Sequence, residues 1–130
     1  MKTTAELKDQ LGQISSAMMR IHKAIMENEM ELLEAKTMKP LGPNERLQVL
    51  LNDPDFAWLR NLSQLMSAVD EVYFQKEAIQ QEQADILKKS VDELLIQSTD
   101  SSFSKKYRSL IPVVPDLMVY HGLLKQALIK

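Results

Sequence analysis

Hydrophobic residues in the first third of the chain recur with the period of an α-helix. From Leu7 onward they are spaced alternately four and three residues apart, with charged residues between them. The positions of this stripe, which include one asparagine, are Leu7, Leu11, Ile14, Met18, Ile21, Ile25, Asn28, Leu32 and Ala35. Thr3 and Glu6, in the sequence TTAE, have the spacing of a capping box. The pattern predicts one long first helix from Thr4 to about Ala35.

A turn and a short corner helix are predicted next. Segment 36–45 contains two prolines and a glycine, which end the first helix because proline lacks an amide donor and glycine permits turn dihedrals. The sequence NERLQVLLND then has leucines at helical spacing. It predicts a short helix with Leu47, Leu50 and Leu51 facing inward.

A second long helix is predicted from Pro54 to about Gln97. Asp53 suits its N-cap, Pro54 suits its first position, and Asp55 faces the positive end of the helix dipole. Its apolar stripe is Phe56, Leu59, Leu62, Met66, Val69 and Tyr73, continued by Ala84, Leu87, Val91 and Leu94. The segment QKEAIQQEQAD between the two halves has no glycine or proline. One continuous helix is therefore favoured over two helices joined by a tight loop.

The C-terminal segment contains two shorter helical patterns. Ser102 or Ser104 is placed to cap a short helix that ends near Leu110. Pro112 and Pro115 then bracket a turn. The final helix has an apolar stripe of Leu117, Tyr120, Leu124 and Leu128.

Together these patterns predict the all-α class and one domain over residues 1–130. We expect an elongated antiparallel helical bundle with two long helices, a short corner helix and a C-terminal helical segment that folds back. On these lengths the second long helix extends beyond the first, where its apolar stripe would be exposed to water at a cost in free energy. Either the C-terminal segment or a second subunit is expected to cover that stripe.

Composition supports helices and excludes several kinds of chemistry. Of the 130 residues, 3 are glycine, 5 are proline and none is cysteine. The few turn-forming residues favour helices, and the absence of cysteine excludes disulfides, thiolate zinc sites and thiol nucleophiles in this chain. The N-terminus has no continuous apolar run, and no segment has the roughly 18 apolar residues of a membrane span. A cytoplasmic protein without an export signal or membrane contact is expected.

The charge distribution is uneven but weak. Residues 1–87 carry 9 Lys/Arg and 14 Asp/Glu, whereas residues 88–130 carry 7 and 4, and the formal net charge is -2. The positive excess in the second segment is too small for the concentrated basic face that contacts phosphates. Nucleic acid is not expected as a partner.

Neither catalytic machinery nor a metal site is indicated. No nucleophile elbow, phosphate loop or glycine-rich turn accompanies the histidine, aspartate and serine residues. The Glu-x-x-His pairs of dimetal bundles are absent, because Met19 precedes His22 and Met118 precedes His121 by three residues. We predict no catalytic residue, no metal ligand and no cofactor, and interpret each histidine as a half-buried helix residue.

Two groups of side chains are candidates for an interface. Trp58 and Arg60 lie off the apolar stripe of their helix, and both residue types are over-represented where partners bind. The alternative is that Trp58 packs beneath the corner helix. Met19, Met26 and Met30 flank the first stripe, and methionine either forms adaptable binding surfaces or fills irregular cores. The sequence leaves both alternatives open for each group.

Polar residues within the predicted helices raise two further possibilities. Asp70, Tyr73 and His121 are candidates for a polar cluster between helices. Asn28 interrupts the stripe of the first helix. It is either buried and paired, which would fix register or oligomeric state, or it faces a gap and is wet.

The segment LLNDPDFAWLRNLSQLMSAVDE, residues 50–71, resembles a segment of small uncharacterised bacterial all-helical proteins. In that group an acid-proline turn leads into Phe-Ala-Trp-Leu-Arg, Leu-Ser and an Asp-Glu pair. The segment PDLMVYHGLL, residues 115–124, resembles the closing segment of the same group. The resemblance implies an all-helical bacterial cytosolic protein, and it implies no activity and no site residue.

The leading hypothesis is a non-enzymatic interaction or assembly module that self-associates as a homodimer or binds another protein. Its basis is the apolar stripes together with the absence of a catalytic or cofactor signature. The alternative hypothesis is a small-molecule sensor or enzyme that uses the polar cluster of Asp70, Tyr73 and His121.

Overall fold

Six α-helices make up the protein in the computed structural model, which describes residues 2–130. They are α1 (Thr4–Thr37), α2 (Pro43–Asn52), α3 (Ala57–Tyr73), α4 (Gln81–Val91), α5 (Ser102–Leu110) and α6 (Leu117–Ile129). A 3₁₀ turn (Pro54–Phe56) precedes α3, and a π-helical segment (Asp92–Ile96) continues α4. The described chain contains no strand, so the prediction of the all-α class is confirmed.

The first long helix begins and ends close to the predicted residues. The Glu6 amide donates to Thr3 Oγ1 over 3.1 Å, and the Thr3 amide donates to Glu6 Oε1 over 3.0 Å, which completes the predicted capping box. Met38 takes the left-handed conformation, with φ 59°, directly after the last helical residue. The stripe of α1 is buried from Leu7 to Ile25, as its spacing predicts.

The far end of the α1 stripe is not buried as predicted. Leu32 and Ala35 are exposed there. The neighbour at this end is α2, which an ion pair of 2.6 Å between Arg46 and Glu34 joins to α1. Because α2 has no buried residue, it does not cover this part of the stripe.

The corner helix α2 forms, but it does not turn all of its leucines inward. Leu50 packs against the core, whereas Leu47 and Leu51 are exposed. The prediction for Leu47 and Leu51 is therefore wrong. Leu50 and Leu51 lie about 100° apart around a helix, so a neighbour on one side of α2 does not cover both.

The predicted second long helix is instead two helices, because α3 ends at Tyr73 and α4 begins only at Gln81. The prediction of one helix from Pro54 to Gln97 is wrong. Its start is formed by the predicted residues: the Asp53 side chain accepts from the Asp55 amide over 2.9 Å, and Pro54 opens the 3₁₀ turn. The apolar stripe also holds on both sides of the break, where Val69 and Ala84 are buried.

Glutamine side chains stabilise the turn between α3 and α4, which contains no glycine or proline. Gln75 and Gln83 exchange amide hydrogen bonds of 3.1 and 3.3 Å. Gln83 also accepts from the Gln80 amide over 3.0 Å, within a capping box at the start of α4. Ile79 is buried and anchors the connection to the core. The turn escaped prediction because glutamine is a good helix former and gives no turn signal.

The chain directions follow from hydrogen bonds between helices. Ser63 Oγ of α3 lies 2.9 Å from His22 Nε2 of α1, and Asp70 Oδ1 accepts from Ser15. Residue numbers therefore fall along α1 as they rise along α3. The same relation holds for α6, since Ala127 accepts from Gln10 of α1 at one end and Tyr120 shares a groove with Asn28 towards the other.

One hydrophobic core draws buried residues from every helix except α2. Its members on the C-terminal helices are Phe103, Tyr107 and Leu110 of α5 and Leu117, Leu124 and Ala127 of α6. The N-cap of α5 is Ser101, whose side chain accepts from the Ser104 amide over 3.1 Å, and not Ser102 or Ser104 as expected. Ser104 is buried instead.

Candidate functional site

The single tryptophan packs against the chain's own C-terminal part. Trp58 is half-buried, and its ring centroid lies 5.7 Å from that of Phe103 on α5, with the planes tilted by 46°. Phe103 stacks in turn on Tyr107, with centroids 5.6 Å apart. We expected either an interface or a contact with the corner helix, whereas this ring neighbour of Trp58 lies on α5. The contact fixes α5 on α3.

Arg60 ties α3 to the end of α2. Its Nε donates to Leu50 O over 3.4 Å, and its Nη2 donates to Asp53 O over 3.3 Å. Carbonyls at the C-terminal end of a helix lack intrahelical partners, and a cation there complements the helix dipole. This contact gives Arg60 a structural role at the corner between α2 and α3.

The three methionines predicted as a possible interface lie in different surroundings. Met30 is buried, Met26 is half-buried against the core, and Met19 is exposed. They therefore do not form one exposed patch on α1.

The three residues of the predicted polar cluster have separate partners. Asp70 Oδ1 accepts from Ser15, and the ring of Tyr73 lies 5.2 Å from Lys8 Nζ. Both contacts join α3 to α1. Within residues 2–130, no hydrogen bond links Asp70 or Tyr73 to His121. The structure therefore does not bring these residues together as one hydrogen-bonded cluster.

His121 pairs with a tyrosine of α5. The Tyr107 hydroxyl lies 2.7 Å from His121 Nδ1, and the ring centroids are 5.5 Å apart. Burial raises the pKa of Tyr107 well above its usual value of 10. Burial, and secondarily the charge of Lys125, lowers the pKa of His121. At neutral pH the pair consists of a neutral phenol that is hydrogen-bonded to a neutral imidazole, which holds α5 against α6.

The other histidine forms a serine pair without the third group of a hydrolytic triad. His22 Nε2 lies 2.9 Å from Ser63 Oγ. Burial lowers the pKa of His22, so the imidazole is neutral at pH 7. In the described chain, no aspartate or glutamate is hydrogen-bonded to the His22 ring. Without an orienting acid the pair lacks the arrangement that activates a serine, and it serves to join α1 to α3.

An open groove of about 460 Å³ lies between α1 and the start of α6. Asn28 lines this groove and is half-buried. This placement agrees with the alternative in which Asn28 faces a gap and contacts water. Charges of both signs border the groove: α1 contributes two cations and two acids, and Asp116 lies at the other side. The four residues of α1 are Arg20, Lys23, Glu27 and Glu31. These charged side chains are exposed, so the groove holds no buried charge that would select a ligand.

The last helix is apolar on both of its sides. Its inward residues Leu117, Leu124 and Ala127 belong to the core. The outer face of α6 consists of Met118, Val119, Gly122, Leu123, Gln126 and Ile129. The four large apolar side chains of this face are between 40% and 84% exposed. A surface helix normally places polar residues on the side away from the core, so the outer face of α6 is unusual.

The sequence prediction missed this face, although the sequence contains a signal for it. Val119, Gly122, Gln126 and Ile129 are spaced three, four and three residues apart, which is the spacing of a helix-packing stripe. The prediction for α6 rests only on its inward stripe. Two stripes on opposite sides of one helix indicate two packing partners.

Gly122 lies in the middle of the outer face without a reason inside the chain. A Cβ atom placed on Gly122 would have no heavy atom within 4 Å. No described glycine has a positive φ, so the backbone does not require glycine at this position. Glycine in a helix interior costs about 1 kcal/mol relative to alanine. Neither close packing inside the chain nor backbone geometry offsets that cost.

Comparisons of the chain with models of known families, with curated proteins and with solved structures gave no match. The resemblance of residues 50–71 to small bacterial helical proteins therefore stays a prediction. Among residues 2–130, no three His, Asp or Glu side chains are grouped to hold a metal ion. Over the same residues, no helix has both the length and the apolarity needed to traverse a lipid bilayer.

Proposed function

We propose that the protein is a non-enzymatic assembly module that forms a homodimer through the outer face of α6. One observation carries the proposal: Met118, Val119, Leu123 and Ile129 expose apolar side chains along a single side of one helix. Contiguous exposed apolar surface of this kind marks interaction sites, because covering it removes it from water.

The position of α6 supports the proposal. We infer that the chain is an elongated antiparallel bundle in which α3 and α6 each run against α1. In such a bundle the inner side of α6 packs on α1. Of its outer side, Leu123 and Gln126 border a surface cavity that they share with α1, and the rest has no neighbour within the chain. A second copy supplies that neighbour.

The polar side chains support a non-enzymatic function over a sensor or an enzyme. Asp70 bonds Ser15, and His121 bonds Tyr107, so each polar candidate is used to join two helices of the fold. A catalytic site requires convergent groups that are held within reach of one substrate. Contacts distributed between different helix pairs favour a scaffold.

Light scattering on size-exclusion fractions at tens of micromolar tests the proposal. The molar mass measured for the wild-type chain is expected to be twice that of the monomer. Val119→Lys is expected to elute as a monomer, because an ammonium group buried at the contact without a partner of opposite charge is costly.

Ile86→Lys provides the matched control. Ile86 on α4 is 59% exposed and Val119 is 60% exposed, so the two substitutions place the same charge at equally exposed apolar positions. The control is expected to remain dimeric. A wild-type chain that is monomeric at these concentrations would contradict the proposal, and so would a Val119→Lys variant that dimerises like wild type.

A further inference from the structure

We infer that the partner on the outer face of α6 is the α6 of a second copy, which crosses it antiparallel with Gly122 at the two-fold axis. The inference rests on the proposed homodimer and assigns its geometry. Two independent features of α6 carry it: the open space at Gly122 and the distribution of charge along the helix.

Gly122 marks the point of closest approach. Its Cβ position faces open space, and Met118, Val119, Leu123 and Ile129 surround it on the exposed side. Helix pairs that cross at glycine bring their backbones closer than larger side chains permit, which increases the contact between the flanking residues. A crossing at Gly122 therefore accounts for a glycine that the monomer does not require.

The charges at the two ends of α6 select the antiparallel direction. Asp116 precedes the helix, and residues 117–129 contain no other acidic residue. Lys125 lies in the second half and Lys130 follows the last residue. A parallel pair would place like charges side by side, whereas an antiparallel pair brings the acidic end of each copy to the basic end of the other. Opposed helix dipoles favour the same direction.

A two-fold axis at Gly122 fixes which positions meet. Position 122 meets position 122 of the other chain. A residue before 122 meets the residue equally far after 122 in the other chain, so the two residue numbers of each pair sum to 244. Position 118 therefore meets position 126. Two copies of position 119 would be about 9 Å apart along the helix axis, and two copies of position 126 about 12 Å apart. Both separations exceed the roughly 7 Å Cα distance that a disulfide bridges.

Disulfide trapping tests this register directly, because the chain has no cysteine of its own. We expect Gly122→Cys to form a covalent dimer on mild oxidation. An equimolar mixture of Met118→Cys and Gln126→Cys leaves Gly122 intact and is expected to form the mixed dimer. Val119→Cys alone and Gln126→Cys alone are expected to stay uncrosslinked, as is the control Ile86→Cys.

The results of light scattering and crosslinking distinguish a failure of the antiparallel geometry from a failure of the proposed homodimer. A wild-type chain that is monomeric by light scattering would overturn the homodimer and the geometry together. A dimer in which both Val119→Cys and Gln126→Cys crosslink to themselves would overturn the antiparallel crossing and leave the homodimer standing. A dimer in which no cysteine on α6 crosslinks would overturn the placement of the contact on this helix.

Gly122→Ala gives a second readout that does not depend on oxidation. In the monomer, alanine is the better helix former, so the thermal midpoint measured at high dilution is expected to rise. In the dimer, the added methyl group separates the two helices, and we expect dimerisation to weaken by about tenfold or more. A variant that dimerises as tightly as wild type would overturn the close approach at Gly122.

Discussion

Gln10 of the first helix donates to the carbonyl oxygen of Ala127 near the end of the last helix, over 2.9 Å. The same Nε2 lies 3.4 Å from Leu128 O and 3.2 Å from Lys130 O. The last carbonyls of a helix have no partner within it, so a buried side-chain donor from α1 supplies one. Through this contact, α1 fixes the end of α6 whose outer face is proposed to dimerise.

Replacing Gln10 is expected to release the end of α6. Gln10→Ala leaves the Ala127 carbonyl buried without a donor, and we expect the free energy of unfolding to fall by about 1–3 kcal/mol. Gln10→Glu is expected to cost more at pH 7, because a carboxylate cannot donate and would meet the negative end of the helix dipole.

Urea unfolding at one fixed protein concentration measures both effects. Gln64→Ala, at an exposed position on α3, is the control and should leave the midpoint unchanged. Equal midpoints for Gln10→Ala and wild type would show that Gln10 does not stabilise the end of α6.

The glutamine pair between α3 and α4 is expected to stabilise the turn cooperatively. Gln75→Ala and Gln83→Ala each remove the mutual hydrogen bonds, and Gln83→Ala also removes the acceptor for the Gln80 amide. We expect each to lower the free energy of unfolding by about 0.5–1.5 kcal/mol, and the double variant to lose less than the sum. A double-mutant cycle from urea unfolding measures the coupling, and additive losses would show that the pair does not act as a unit.

These contacts explain which parts of the fold the sequence could predict. The capping box at Thr3 and the stripe from Leu7 to Ile25 depend on local spacing, so α1 was predicted close to its observed bounds. The break after Tyr73 depends on side-chain amides of Gln75 and Gln83 that meet only in the folded chain. Periodicity carries no information about such a contact.

The candidate site was harder to predict than the fold for a related reason. Trp58 and Arg60 were singled out by residue type, yet they contact Phe103 and the end of α2 within the chain. The outer face of α6 was not predicted, because its large apolar residues are common types that also form cores. Which apolar side chains lie outside depends on how α6 packs, and spacing alone gives two equivalent stripes.

The stability of the protein is expected to fall as the solution becomes mildly acidic. Burial lowers the pKa of His22 from its usual value of 6.5, so below pH 6.5 the unfolded chain binds a proton that the folded chain excludes. The contribution of neutral His22 is therefore complete above pH 6.5 and is lost as the pH falls through the folded pKa. His121 acts in the same direction.

Urea unfolding between pH 8 and pH 5 measures this dependence. His22→Gln retains a polar side chain without a titrating ring, and its free energy of unfolding should fall less steeply between pH 7 and pH 5 than that of wild type. Gln64→Ala again serves as the control, with the wild-type slope. Parallel slopes for His22→Gln and wild type would show that His22 does not cause the pH dependence.

The contact between Trp58 and Phe103 makes the single tryptophan a probe of whether α5 is docked. Phe103 is fully buried, with its ring 5.7 Å from that of Trp58. We expect Phe103→Ala to cost about 3–5 kcal/mol and Phe103→Leu clearly less, because leucine fills more of the cavity. As water gains access to the indole, the fluorescence of Trp58 should shift to longer wavelength in Phe103→Ala under native conditions.

Val113→Ala, at an exposed position between α5 and α6, is the control and should keep the wild-type emission maximum. An unshifted Phe103→Ala spectrum, with the protein still folded by circular dichroism, would show that α5 does not shield Trp58.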